Sequence, residues 1–331
     1  MINFIYFIGD YMKKIFLFII CLFLSSCNIK SEEVVVSASS YIVIEQSTNK
    51  ILEGYNYDEV RSVASISKIM TAIIAIENND VNKIVIVPEE INTVYGSSIY
   101  LKVKEEISII QLLYGFLLRS GNDAAITLAM ATCKDVNSFV NLMNQKAETL
   151  GMKNTYFSNP HGLDEMDAGN LSTAYDMAIL YSYCMDNELF AKIVGSKSSF
   201  AYSNKNKLIN SYQYCTGGKT GYTKKAKRTL VSSASKDNIN LIIVTLNCGN
   251  DFDTHKNKYE YYFNNFTSIK VLNKGNNIFD NETICLNKDY YFITDLNNLK
   301  LFYEILKQSR IINVTLYDQN NNVVDYMQVA Y

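Results

Sequence analysis

The chain has 331 residues, with no tryptophan, two prolines, two histidines and a formal net charge of −2. Each shortage removes a class of function. A zinc peptidase needs about three protein ligands and an open fourth position, and His161 and His255, far apart in the chain, do not supply such a set. A Ser-His-Asp hydrolase of the nucleophile-elbow type needs Gly-x-Ser-x-Gly, which does not occur. Gly218-Lys219-Thr220 suggests a phosphate loop, but position 213 is Gln213 where that pattern requires glycine. No basic stripe marks a nucleic-acid partner. The scarcity of tryptophan and proline carries no functional message.

Nor is there an early apolar run long enough to cross a bilayer, which takes ~20 residues. Lys13 and Lys14 instead precede about ten apolar residues, followed by Leu24-Ser-Ser-Cys27. That is the layout of a secretory signal peptide. Its ending resembles the bacterial lipoprotein signal, which implies cleavage before Cys27, lipid attachment there and a membrane-tethered, extracytoplasmic protein. An ordinary signal peptide with an incidental cysteine is the plainer alternative. Met12 is an alternative start, because Asp10 is acidic where a signal wants positive charge. Beyond the leader remain Cys133, Cys184, Cys215, Cys248 and Cys285, an odd number without Cys-x-x-Cys spacing. Buried free thiols are expected rather than a disulfide framework.

The pattern along the chain predicts strands over 41–44 and 50–53, joined by a turn at 46–49. An amphipathic helix opens at Ser65, with Ile66, Ile69, Met70, Ile73, Ile74 and Ile76 on one face. Further helices are predicted over 108–118, 124–131, 135–150 (ended by Gly151) and 173–186. Strands return over 228–233 and 239–246 around a Lys236-Asp-Asn238 turn, and a last helix covers 252–266. Strands at both ends with helices between predict an α+β domain, an antiparallel sheet built from both ends of the domain with a helical region inserted. Character changes near Lys274-Gly275. The expected organisation is a leader at 1–27, a main domain at 28–274 and a small β-rich appendage at 275–331.

With histidine chemistry set aside, a serine activated by a lysine remains. Ser-x-x-Lys occurs at Ser47–Lys50, Ser65–Lys68 and Ser233–Lys236. The first and third are expected at turns with their lysines in water. Ser65 opens a helix, so Lys68 lies one turn on, where ammonium and hydroxyl can meet. A half-buried lysine beside a second cation has a depressed pKa and can accept the serine proton. Taken alone, a capping serine followed by a surface lysine explains the tetrapeptide equally well. Two further segments give it context. Ser120-Gly-Asn122 falls between two predicted helices and can present a hydroxyl and an amide. Lys219-Thr-Gly221, just before a strand, can offer a cation and a hydroxyl to a carboxylate, with Gly221 letting a substrate backbone lie close.

Ser65-Ile-Ser-Lys68, Ser120-Gly-Asn122 and Lys219-Thr-Gly221 together resemble the three motifs of penicillin-recognising serine enzymes. Ala64-Ser-Ile-Ser-Lys-Ile-Met-Thr-Ala72, Gly96-Ser-Ser-Ile-Tyr-Leu101, Leu118-Arg-Ser-Gly-Asn-Asp-Ala-Ala125, Asn159-Pro-His-Gly-Leu163, Ser172-Thr-Ala-Tyr-Asp-Met-Ala178 and Lys219-Thr-Gly-Tyr-Thr-Lys-Lys225 resemble blocks of the low-molecular-weight D-alanyl-D-alanine carboxypeptidases. The resemblance spans about residues 38–270. Val63 stands where that family usually has proline, and Lys227 where it usually has glycine. The tail is shorter than the family's usual β domain.

The resemblance implies a penicillin-binding, β-lactamase-like fold and a serine peptidase needing no cofactor or metal. Its substrates would be peptidoglycan stem peptides ending in D-Ala-D-Ala, with β-lactams as covalent inhibitors. Ser65 would be the nucleophile and Lys68 its general base. Ser120 would relay a proton and Asn122 would hold the substrate backbone. Lys219 and Thr220 would bind the terminal carboxylate, and the N–H groups of Ser65 and Tyr222 would form an oxyanion hole. Three alternatives stay open. A class A β-lactamase would use a glutamate for deacylation, but Glu165 lies in a loop that matches the carboxypeptidases. A non-catalytic peptidoglycan-binding lipoprotein would not need Ser65, Lys68 and Ser120 together. A transpeptidase or endopeptidase could use the same residues.

Overall fold

The computed structural model describes residues 36–164, 169–279, 282–295, 302–308 and 310–331. The expected leader with Cys27, and Glu165, lie outside the described residues. Five antiparallel strands form the central sheet: β1 (Ala38–Glu45), β2 (Ile51–Tyr55), β3 (Cys215–Thr223), β4 (Lys227–Lys236) and β5 (Ile239–Cys248). Their order is β2-β1-β5-β4-β3, so the two ends of the domain meet at the β1–β5 pair and β3 is an edge. Asp237 and Asn238 turn β4 into β5, both at positive φ, the geometry of a two-residue hairpin whose twist suits the strands.

Alternation along β1 fills two cores. Ile42 and Ile44 join the cluster under the helical region, whereas Val43 joins one built around Tyr259, Tyr262 and Phe263. The sheet is therefore covered on both faces, which explains why β1 and β5 are rich in branched apolar residues. The second face is covered by the last helix, Asp251–Asn265.

The inserted helical region comprises α1 (Lys68–Asn78), α2 (Ile109–Arg119), α3 (Asn122–Thr132), α4 (Val136–Thr149), α5 (Ala174–Met185) and α6 (Glu188–Val194), and the last helix is α7. Side-chain caps start four of them. Ser108, Asp135, Thr173 and Asn187 accept from the N–H groups of Gln111, Ser138, Asp176 and Phe190 at 3.3, 2.7, 2.9 and 3.0 Å. No helix among the described residues is long and apolar enough to cross a membrane.

Several local expectations need correction. Ser65 does not open the α-helix. It sits in a 3-10 turn, Ala64–Ser67, that feeds α1. Lys219-Thr-Gly221 does not precede a strand but lies on β3. Ser233 is not at a turn: it is buried within β4, where Thr216 donates to its hydroxyl at 2.7 Å. Ser47 does stand in a turn, and Lys50 pairs with Asp325.

The C-terminal strands have their own core around Val271, Phe292, Ile312, Val314 and Met327. The strand Phe266–Leu272 pairs with Tyr290–Asp295. By hydrogen bonding, the β-rich layer thus begins at Phe266, ahead of the boundary expected near Lys274.

Candidate active site

The site forms where the Ala64–Ser67 turn, the α2–α3 junction and the edge strand β3 converge. Pairing Val231 of β4 with Lys219 puts both on one sheet face, and Val231 belongs to the core beneath the helical region. Strand alternation therefore sends the Lys219 side chain toward the helices, with Gly221 on the same face. A Cβ on Gly221 would stand 3.0 Å from the Ser65 nitrogen and 3.1 Å from that of Ile66. Only a residue without a side chain lets the turn lie this close against the strand.

Ala64 holds φ at +51° to deliver Ser65 into the 3-10 turn. Left-handed backbone costs a residue with Cβ on the order of 1 kcal/mol, here offset by a dense local network. Ser67 donates to the Ala64 carbonyl at 2.8 Å and accepts from Asn170 at 2.8 Å, while Thr229 donates to the Val63 carbonyl at 3.1 Å.

Lys68, one turn on, is fully buried. Its Nζ donates to Ser65 Oγ at 3.1 Å, to Asn122 Oδ1 at 2.8 Å and to the carbonyl of His161. Burial first, then the positive charges of Lys219 and Lys205, hold its pKa well below that of a free lysine. A neutral amine 3.1 Å from a hydroxyl can take the hydroxyl's proton.

Ser120 caps α2 with φ at +65°. That left-handed residue breaks α2 from α3 and turns the hydroxyl into the groove, where Lys219 Nζ donates to it at 3.0 Å. Lys219 also donates to the Thr220 carbonyl at 2.7 Å. It is 1% exposed, and burial together with Lys205 lowers its pKa to about 7. Asn122, first residue of α3, spans the site. Its Oδ1 faces Lys68 and its Nδ2 donates to the Tyr95 carbonyl at 2.5 Å. Asp123 fixes the facing loop by accepting from the N–H groups of Ile99 and Leu101 at 3.1 Å.

Ser65, Lys68, Ser120, Asn122, Lys219, Thr220, Gly221 and Tyr222 thus meet around one groove, while Cys27 is outside the described residues. A cavity of about 360 Å³ is lined by Ser65, Ser120, Thr220, Gly221 and Tyr222. The same cavity is lined by Lys205, Lys207, Arg228 and Phe252, which sequence reasoning missed. Lys205 donates to Ser97 Oγ at 2.9 Å, and the Arg228 guanidinium pairs with Asp251 at 2.6 Å. A cavity of similar size, about 370 Å³, between the β1–β2 turn and 325–328 contains no comparable serine–lysine pair.

The profile of the D-alanyl-D-alanine carboxypeptidase family matches residues 27–250. The D-alanyl-D-alanine carboxypeptidase DacF of Bacillus subtilis is 37% identical over 229 residues, 65% of this chain and 58% of that protein. The chain therefore spans less than two thirds of that relative's length. The structure of penicillin binding protein 5 from Haemophilus influenzae superposes with a TM-score of 0.77 at 25% identity, covering 90% of this chain and 97% of that one. A D-alanyl-D-alanine carboxypeptidase structure from Mycobacterium tuberculosis gives 0.66 at 29%, covering 71% and 95%.

Proposed function

The chain belongs to the D-alanyl-D-alanine carboxypeptidase family, and on that premise we propose that it is a serine peptidase removing the terminal D-alanine from peptidoglycan stem peptides. One observation carries the reading: a fully buried Lys68, its pKa depressed, lies 3.1 Å from the Ser65 hydroxyl within the same groove as a second buried lysine, Lys219.

In this mechanism Ser65 Oγ attacks the carbonyl between the last two residues and passes its proton to Lys68. The oxyanion is met by the N–H groups of Ser65 and Tyr222, donors already fixed before the reaction. Ser120 then relays a proton, giving its own to the leaving nitrogen and taking back the one held by Lys68, the C–N bond breaks, and D-alanine departs from a Ser65 ester. Lys219 and Thr220 hold the terminal carboxylate, and Asn122 orients the peptide backbone. Water hydrolyses the ester and restores the serine. A β-lactam offers a strained amide to the same nucleophile, and the ring-opened acyl group remains attached because its leaving nitrogen stays tethered. No cofactor takes part.

The leader adds an address. We place the enzyme outside the cytoplasm, tethered through a lipid on Cys27, with the peptidase followed by an appended β unit whose first strand is Phe266–Leu272. Incubating the protein with a pentapeptide ending in D-Ala-D-Ala should yield a product lighter by one alanine in the mass spectrum. An intact pentapeptide, or a dimeric product only, would overturn carboxypeptidation.

A further inference from the structure

We propose that Asn170 is a positioning residue for acylation: one buried amide clasps the turn carrying Ser65 to the loop whose His161 carbonyl holds Lys68. The inference rests on the peptidase reading above and concerns how its nucleophile and base are kept in register.

Ser65 and Lys68 lie one turn apart, so the backbone alone brings them near each other. The last step is left to the lysine side chain, a flexible stem with rotatable donors. Its Nζ stays on Ser65 Oγ while other acceptors fix it, and these are Asn122 Oδ1 at 2.8 Å and the carbonyl of His161. That carbonyl belongs to the segment 158–163, whose backbone is held by side chains. Thr71 donates to the Pro160 carbonyl at 2.8 Å, and the Asn159 side chain accepts from the Gly162 N–H at 2.6 Å and donates to the Leu163 carbonyl at 2.9 Å.

Asn170 bonds to both segments and is 1% exposed. Toward the loop, its Oδ1 accepts from the N–H groups of Ser158 and Asn159 at 2.8 and 3.2 Å, and its Nδ2 donates to the Asn159 carbonyl at 2.9 Å. Toward the nucleophile, Nδ2 donates to Ser67 Oγ at 2.8 Å, and Ser67 passes the grip on to the Ala64 carbonyl. The Asn170 carbonyl accepts from the Val63 N–H at 3.1 Å. Leu171–Ser172 pairs with Arg61–Ser62, which fixes the Asn170 backbone beside the turn. Two acceptor and two donor sites exhaust a primary amide. The N–H groups on one side and the carbonyl on the other admit a single orientation of it. No other side chain of this length supplies the set, since aspartate lacks the donors and leucine leaves buried N–H groups unpaired. Losing Asn170 therefore releases both segments at once, and with them Ser65 and Lys68, although its hydrogen bonds go to neither.

The test uses the full-length protein and stopped-flow labelling with fluorescent penicillin, which separates the dissociation constant of the initial complex from the maximal acylation rate. Asn170→Ala should lower the maximal rate roughly ten- to a hundredfold, the scale on which an ~1 Å misplacement of reacting groups acts. Ser67→Ala, which removes only the nucleophile side of the clasp, should lower it about tenfold, and the double variant should fall within about twofold of Asn170→Ala. In all three the dissociation constant should stay within about twofold of the wild type. Phe263→Leu thins the core on the far face of the sheet, and should lower the melting temperature while leaving the maximal rate unchanged. Losses carried by the dissociation constant, additive losses in the double variant, or an equal loss in Phe263→Leu would overturn the proposal. If Asn170→Ala does not fold, Ser67→Ala decides, and a wild-type maximal rate there overturns it. A wild type that takes no label at Ser65 counts against the peptidase reading. The clasp is then decided by amide hydrogen exchange of Asn170→Ala, which should quicken in 63–67 and 158–162 together, and quickening in one segment alone overturns it.

Discussion

Lys219 sits in β3 with its ammonium on Ser120 and its charge reduced by burial. If it holds the terminal carboxylate, Lys219→Gln should lower kcat/KM roughly ten- to a hundredfold, as expected for losing a charge-assisted contact of about 1.5–3 kcal/mol. A substrate with an amidated terminus should be poor for the wild type and lose little more in the variant. Four rates measured as a cycle decide the matter, and equal losses on acid and amide would reassign Lys219 to tuning Lys68 or Ser120. The same lysine shapes stability. Its folded pKa is about 7 against 10.5 for the free side chain, so above pH 7 the unfolded chain holds a proton that the folded chain has released. Stability contributed through this group therefore rises with pH from about 7. Lys219→Met should flatten the increase in melting temperature between pH 7 and 8.5, while an unchanged slope would mean that Lys219 stays charged when folded. Ser65, Lys68, Ser120 and Lys219 could be picked out of the chain because each falls in a short motif with a chemical reason. Lys205 and Arg228 could not. Lys205 lies in an Asn- and Lys-rich stretch that reads as a solvated loop, and only tertiary packing brings it to Ser97.

At the scale of elements, the site depends on how the Ala64–Ser67 turn is wedged between β3 and the loop carrying His161 and Gly162. Gly162 has φ at +80°, and a Cβ there would stand 2.6 Å from Ser67 Oγ and 2.7 Å from the carbonyl carbon of Ala64. Gly162→Ala should cost roughly 2–4 kcal/mol, combining left-handed strain with overpacking. It should also slow acylation by penicillin at least tenfold, because Lys68 donates to the neighbouring His161 carbonyl. Gly249→Ala, where a Cβ meets nothing within 4 Å, is the control and should be nearly neutral. Normal acylation by Gly162→Ala would show that the loop does not position Lys68. The helices could be read from apolar period and caps: Asp135 and Thr173 mark the starts of α4 and α5 as expected. The 3-10 turn could not, because a single tight turn leaves the same apolar spacing as the first turn of an α-helix. β3 was also hidden. Its run Thr216-Gly-Gly-Lys-Thr-Gly221 has the glycine content of a loop, and it is a strand because β4 pairs along its length.

Across the whole molecule, the central sheet closes residues from both ends of the main domain onto each other, and β-rich strands follow with a separate core. The sheet-plus-insert arrangement could be inferred from strands flanking a helical middle. The junction with the appendage could not, since the strand at 266–272 continues straight from α7 without a glycine or proline to announce it. The proposed leader, if cleaved before Cys27, would set where the molecule works. Cys27→Ala should release it from membranes or leave an unprocessed precursor in cell fractionation, and wild-type behaviour would refute lipid attachment. The lysines within the groove have a further consequence. Lys205 raises the electrostatic cost of charging Lys219, and both raise that of charging Lys68, so an anion bound among them would favour their protonated forms. Any compact anion able to enter shifts the folding equilibrium in proportion to the logarithm of its concentration above its dissociation constant. Sulfate should raise the melting temperature more than chloride at equal ionic strength, inhibit peptide turnover competitively, and lose both effects in Lys219→Gln. Storage conditions that best protect this protein from heat would then be those in which it is slowest to act.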